Sequence, residues 1–264
     1  MFLRRLAYYA RSIVTLLTGI TNWPSVIAAF VGLPMNKPFV IQLRSSGLHF
    51  NVRGPMDIWI VKETCLDREY ERLSGPVQAG WHVIDIGAGL GDFTIDAARR
   101  SDLVLAYEPF PESFDLLKQN LAVNKIENVL PMAEAISGQA GAVKLEMSGA
   151  AVQHKTTSVR GERKTISVPA ITLDEALSRL NGFRCDLLKM DCEGAEYDIL
   201  MMADESCWQR IGQIVLEYHD GVSEHSHQDL IDLFEKRGFK TRCFPSQVHR
   251  HLGLLHVILE RTSS

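Results

Sequence analysis

Val83-Ile84-Asp85-Ile86-Gly87-Ala88-Gly89-Leu90-Gly91-Asp92 is an apolar run that ends in three alternating glycines. Leu103-Val104-Leu105-Ala106-Tyr107-Glu108 follows, a second apolar run closed by an acid. Continuous apolar residues over this length read as a parallel strand buried on both faces. A glycine turn at its carboxyl end lets the backbone come close to a ligand. An acid ending the next strand, about 20 residues on, can accept hydrogen bonds from both hydroxyls of a ribose. The pair predicts a nucleoside-containing cofactor.

Spacing then chooses among cofactors. Dinucleotide sites favour G-x-G-x-x-G, because a pyrophosphate rests on the amides of the helix N-terminus. Here Gly91 comes one residue early and Asp92 stands where the helix begins. A carboxylate there opposes a phosphate, but it suits a helix N-terminus and a cationic sulfonium nearby. Asp85, two residues before the first glycine, adds a second negative group. The D-x-G-x-G-x-G form with a downstream acid therefore fits S-adenosylmethionine better than NAD. A glycine turn in some unrelated α/β fold is the plainer reading, and it requires both spacing and acid to be coincidental.

At 264 residues and 46% hydrophobic content, the chain can bury a large core. A net charge of −4 provides no basic field for nucleic acid, and no N-P-P-Y-type tetrapeptide is present to hold a flipped base. Cys65, Cys185, Cys192, Cys207 and Cys243 are odd in number and form no C-x-x-C pair. That usage suits reduced thiols in a cytoplasmic protein.

Residues 1–37 read as a helical extension ahead of a catalytic domain spanning 38–264. Arg4, Arg5 and Arg11 precede a charge-free stretch from Ser12 to Asn36, divided by Asn22-Trp23-Pro24. Each piece is about ten residues, where a spanning helix needs about 20. Two helices packed on the domain or on a second subunit of a homo-oligomer are the leading expectation. Interfacial attachment at the cytoplasmic face of a membrane, through the arginines, Trp23 and Phe30, is the alternative.

Beyond the extension, 39–43 and 48–52 flank Ser45-Ser46-Gly47 as a hairpin. A helix is expected over 56–73, and another from Pro111 to Leu121, with proline at its first position. Strands are expected at 129–135, 142–147, 166–171, 186–190, 211–218, 239–244 and 253–259. Helices are expected near 195–202 and 228–237. Thr172-Leu173-Asp174-Glu175 is a capping box. Alternating strands and helices imply a parallel-rich sheet covered on both faces.

The second chemical cluster is Leu187-Leu188-Lys189-Met190-Asp191-Cys192-Glu193-Gly194-Ala195-Glu196. An apolar strand that delivers charges to its carboxyl end puts them where ligands bind in open α/β sheets. Glu217 and His219 end the next strand on one face.

With these blocks in place the chain resembles the FkbM family of S-adenosylmethionine-dependent O-methyltransferases. The resemblance rests on Val83 to Thr94, Tyr107-Glu108-Pro109-Phe110-Pro111, Glu134-Ala135-Ile136-Ser137, Thr172-Leu173-Asp174 and Asp186 to Glu196, in order over about residues 38 to 260. The Lys189–Glu196 block is its most family-specific part. The glycine loop is shared by most class I methyltransferases. The resemblance implies an α/β, Rossmann-like class I methyltransferase fold: a seven-stranded, mostly parallel sheet with helices on both faces and a reversed final strand. It further implies that Asp85 and the Gly87-Ala88-Gly89-Leu90-Gly91 loop hold the methionine half of the cofactor. Glu108, followed by Pro109, would bind the ribose, Glu134 and Ala135 would border the adenine, and Asp191 would sit beside the transferable methyl group. Acceptors would be hydroxyls of glycans or of small-molecule secondary metabolites.

Methyl transfer to a hydroxyl requires alignment of the two reactants and removal of one proton. His219 is the first candidate base, because a free imidazole titrates nearest neutrality, and Asp191 the second. No ligand spacing demands a metal, so none is expected. Two other classes are weighed. A nicotinamide oxidoreductase would share the first strand and Glu108, but the early Gly91 and the absence of a Tyr-x-x-x-Lys pair argue against it. A catalytically silent cofactor-fold module for assembly or membrane recruitment would need the loop but neither Asp191 nor His219.

Overall fold

A computed structural model describes residues 2–33, 39–146 and 165–259. Seven strands form the central sheet: β1 (His82–Ile86), β2 (Leu103–Tyr107), β3 (Val129–Met132), β4 (Cys185–Met190), β5 (Ile211–His219), β6 (Phe239–Pro245) and β7 (Leu252–Leu259). Their spatial order is β3-β2-β1-β4-β5-β7-β6. The first five run parallel, and β7 is antiparallel to both β5 and β6. This is the expected class I methyltransferase sheet with its final strand reversed.

Period-2 alternation divides each central strand between two cores. Val83, Val104, Ala106 and Leu187 face one, with Ile95 and Leu117 from covering helices. Ile84, Leu105, Tyr107, Leu188 and Met190 face the other, with Trp208 and Phe234. Chain order reverses between β1 and β4, and ligands bind in the crevice outside the strand ends at such a switch point. The register sets Asp85 opposite Lys189 and Ile86 opposite Met190. The glycine loop and the Asp191 block therefore leave the sheet side by side.

Several elements differ from expectation. The helix expected over 56–73 is three pieces: Pro55–Val61, a π-helical turn Lys62–Leu66, and Glu69–Ser74 after Arg68 at φ 57°. Lys62 organises the break. Its carbonyl accepts the Asp67 N–H, its fully buried ammonium meets the Asp67 carboxylate at 2.7 Å, and that ammonium lies over the Tyr8 and Trp59 rings. Such π-turns concentrate at functional sites. The strand expected over 129–135 ends at Met132; Ala135–Ile136 joins a separate three-stranded sheet with Gly141–Glu146 and Thr165–Ile171. Met147, the expected end of one of those strands, lies outside the described residues. Helix Glu205–Arg210 has no counterpart in the sequence reading. The capping box forms as expected: Thr172 Oγ1 accepts from the Glu175 N–H at 3.2 Å, and Glu175 accepts from the Thr172 N–H at 2.9 Å.

The extension forms helices Phe2–Gly19 and Trp23–Phe30. Between them Asn22 donates to the Val40 carbonyl and accepts from the Gln42 N–H, which fixes the turn to the hairpin. Leu16, Ile20 and Val26 share one core with Ile41, Phe50 and Ile58, so extension and domain pack as one body. The 37/38 boundary lies outside the described residues. Among the described residues no helix is long and apolar enough to cross a membrane.

Candidate active site

The three loop glycines have three different physical reasons. A Cβ on Gly87 (φ 76°) would lie 1.9 Å from the Asp191 carbonyl oxygen, so this glycine lets the ends of β1 and β4 touch. A Cβ on Gly91 (φ 91°) would strike Leu117, so this one lets helix Pro111–Val123 close against the loop. Gly89, at φ 56°, faces open space. The middle glycine is thus the one that leaves room for a ligand. Ala88 is buried, and its N–H joins that of Gly87 in donating to the Tyr107 carbonyl, which folds the loop back over β2.

Glu108 sits at the end of β2 as expected. Its carboxylate accepts from the Gly89 N–H at 2.7 Å and from the Phe110 N–H at 2.8 Å, across Pro109. Burial pushes its carboxyl up to about 7, against the pull of those two donors. Asp92, at the start of helix Asp92–Ala98, is likewise pushed up by burial, to about 6.

Asp85 requires a correction. It is fully buried, with an ion pair to Lys189 Nζ at 3.0 Å and a hydrogen bond from Thr94 Oγ1 at 2.5 Å. Here the carboxylate is turned to Lys189 and Thr94 and not to the open side of the loop, so Asp85 supports the loop from below. Lys189 also donates to the Gly87 carbonyl at 2.9 Å, so one cation ties β4, β1 and the loop together. Burial opposes that charge, but Asp85, Asp191 and Asp92 outweigh it and hold the ammonium above its ordinary range.

Asp191 emerges from β4 beside the loop, its N–H bonded to the Ile86 carbonyl. Tyr70, from the helix over the sheet end, donates to Asp191 Oδ2 at 3.2 Å. Burial raises the Asp191 carboxyl, with Lys189 pulling the other way. Glu217 is raised well above its usual range by burial and then by Asp191.

His219 also requires a correction. Its Nε2 meets Glu193 at 2.9 Å and its Nδ1 meets Glu196 at 3.2 Å. Burial works against the charged ring, but the two carboxylates outweigh it and lift His219 to about 11. An imidazolium with both nitrogens engaged cannot accept a substrate proton. Its place is structural: fully buried Glu196 accepts from the N–H groups of Cys192 and Gly194, and Glu193 is held at φ 60°, a left-handed conformation that a non-glycine residue adopts only under constraint. Asp191, Glu196 and His219 are close enough to share a cation. The Glu196 carboxylate also accepts from the Cys192 and Gly194 N–H groups, and both His219 ring nitrogens meet carboxylates, so these groups bind one another as well.

The two residues expected to border the adenine lie at the start of the side sheet. Ala135 is buried in the side sheet against Val168 and Ala170, and Glu134 is ion-paired with Arg179 just past β3. Tyr70, Thr94 and the π-turn escaped the sequence reading. Their roles come from tertiary contacts, and Tyr70 lies in an ordinary charged helical stretch with no local signal.

Seven carboxylates (Asp85, Asp92, Glu108, Asp191, Glu193, Glu196 and Glu217) thus gather around the loop and the block that follows β4, with Lys189 and His219 as their cations. Burial, with neighbouring acids, raises Asp92, Glu108, Asp191 and Glu217 among them, and a cluster of acids favours a cationic ligand and disfavours a pyrophosphate.

The family model described as methyltransferase FkbM domain matches residues 85–241. Methyltransferase 1 of Beauveria bassiana is 24% identical over 203 residues, covering 69% of this chain and 80% of that one. Methyltransferase sdnD of Sordaria araneosa is 27% identical over 195 residues, covering 60% and 73%. The 31-O-demethyl-FK506 methyltransferase FkbM of Streptomyces tacrolimicus is 25% identical over 194 residues, covering 61% and 74%. These matches favour a methyltransferase over the nicotinamide oxidoreductase and the silent module. With the family's domain spanning more than half of its length, from the glycine loop through the Asp191 block and past His219, the chain belongs to the FkbM methyltransferases.

Proposed function

We propose that the protein transfers a methyl group from S-adenosylmethionine to a hydroxyl oxygen of a glycan or of a small secondary metabolite. The observation that carries this reading is the Asp191 carboxyl, raised by burial, steadied by Tyr70 and standing beside the loop whose middle glycine faces open space. When bound, S-adenosylmethionine would supply an electrophilic methyl carbon on a cationic sulfonium, the carbon–sulfur bond breaking and neutral S-adenosylhomocysteine leaving as the acceptor oxygen takes the methyl group. Glu108, oriented by Gly89 and Phe110, would hold the ribose hydroxyls. Asp191 would orient the acceptor hydroxyl and take its proton. Lys189 and Asp85 fix the loop, and the His219 imidazolium fixes Glu193 and Glu196. The likeness to the Streptomyces relative, a methyltransferase for an O-demethyl compound, supports oxygen as the acceptor atom.

Transfer of labelled methyl to a panel of glycan and polyol acceptors tests the reaction. A base-stable methyl ether is expected; methyl found only on nitrogen, or as a base-labile ester, overturns the hydroxyl assignment.

Calorimetry tests the site. S-adenosylmethionine is expected to bind and NAD to give no heat. Glu108→Ala should weaken binding by about 1–3 kcal/mol, the value of charge-assisted hydrogen bonds to the ribose. Gly89→Val should abolish it, because a β-branched residue tolerates the positive φ poorly and fills the open space. The ionised carboxylate is the better acceptor, so affinity should rise as pH passes upward through about 7, where Glu108 titrates. Glu108→Gln should flatten that rise. Full affinity in Glu108→Ala and Gly89→Val together would remove the cofactor assignment.

A further inference from the structure

The first 56 residues hold six Lys or Arg and no Asp or Glu, while all 32 acids of this net-acidic chain lie beyond them. The two N-terminal helices spend only one side on the domain. Helix Phe2–Gly19 packs inward through Tyr8, Ser12 and Leu16, one helical step apart, and helix Trp23–Phe30 through Val26. Their other sides are apolar and bare. Leu6, Ile13 and Val14 are 57%, 57% and 58% exposed, and Ile27 and Phe30 of the second helix are exposed with Val31 just beyond its end. The spacings are those of one helical stripe in each case. Tyr9 and Phe30, one from each stripe, both contact the Trp59 ring, at centroid distances of 5.9 and 6.4 Å, so the two stripes adjoin. Arg5 and Arg11 are exposed on the first helix. Arg44, also exposed, closes its C-terminal end through the Thr18 and Ile20 carbonyls.

We propose that this paired-helix face is a docking surface for an anionic lipid bilayer. Bare apolar side chains with interfacial aromatics, bordered by arginines and free of acids, match the acyl boundary and headgroup layer of such a membrane. Charge separates this occupant from a second copy of the chain. A two-fold contact sets a patch against itself, so a dimer through this face would bring two basic surfaces together with no acid from either helix pair to compensate. The face rides on the active-site wall. Tyr8, on the inward side of the first helix, hydrogen-bonds Glu63 of the π-turn, and the Glu63 charge reaches Glu217 in the acid cluster.

Co-sedimentation of the full chain with vesicles of phosphatidylcholine, alone or mixed with phosphatidylglycerol, tests the proposal independently of any methyl acceptor. Binding is expected only with the anionic lipid and should fall with added salt. Arg11→Ala should weaken binding about fivefold, the equivalent of about 1 kcal/mol for one basic residue at such a surface. Ile13→Ser with Ile27→Ser should weaken it further while leaving the thermal unfolding midpoint unchanged, since both side chains already face outward. No pelleting with anionic vesicles at low salt overturns the proposal, as does equal pelleting with neutral ones. A dimer by light scattering that Ile13→Asp splits would assign the face to a second copy and overturn it as well.

Discussion

Lys189→Met is expected to lower folding stability by about 3–5 kcal/mol, the usual consequence of removing one partner from a buried ion pair. Asp85 has no solvent exposure, and among the described residues Lys189 at 3.0 Å is its only ion-pair partner. Thr94 would still donate one hydrogen bond, but a lone carboxylate at this depth cannot stay charged cheaply. The loss also reaches the loop, because the same ammonium binds the Gly87 carbonyl. Urea unfolding at constant m-value measures the loss. Lys189→Met with Asp85→Asn should recover much of the loss, since an amide needs no counter-charge. A loss under 1 kcal/mol, or no recovery in the double variant, would show that the pair does not hold the loop.

The same pair marks how far the residues alone could be read. The apolar runs, the glycine spacing and the acid ending β2 each report local physics, namely burial on two faces, a positive φ and a strand-end carboxylate. All three stand in the structure as read. Asp85 satisfied the same local logic and was assigned to the cofactor. Its true partner lies 104 residues away and is set by the β1–β4 register, which no local pattern encodes. Tyr70 is 121 residues from the Asp191 it steadies. The break in the 56–73 helix turns on Lys62, whose ammonium lies over the Trp59 ring and over the ring of Tyr8, 54 residues away. His219 was misjudged for a different reason. The 6.5 of a free imidazole is the wrong reference once a left-handed turn at Glu193 and a buried Glu196 bring a carboxylate to each ring nitrogen.

Asp191 and His219 should accordingly respond to substitution in opposite ways. Asp191→Asn is expected to reduce turnover by about 10²- to 10⁴-fold, the range for loss of a general base, with cofactor affinity changed little. His219→Gln should produce a pH-dependent loss instead. The imidazolium is among the groups that hold the Asp191 carboxyl down, so its removal should raise that carboxyl further and move the acidic limb of the pH–kcat profile upward. Activity should then return toward the parent value as pH rises. His219 should show no titration by NMR near 6.5. Its stabilising contribution is complete below the free-imidazole value and declines as pH climbs through about 11, so the folded protein should lose stability on the alkaline side and keep it at neutrality. A ring that titrates near 6.5, combined with a His219→Gln defect of equal depth at every pH, would return the base role to His219. An Asp191→Asn enzyme with full turnover would pass it to Glu217, whose raised carboxyl is the next candidate at the strand ends.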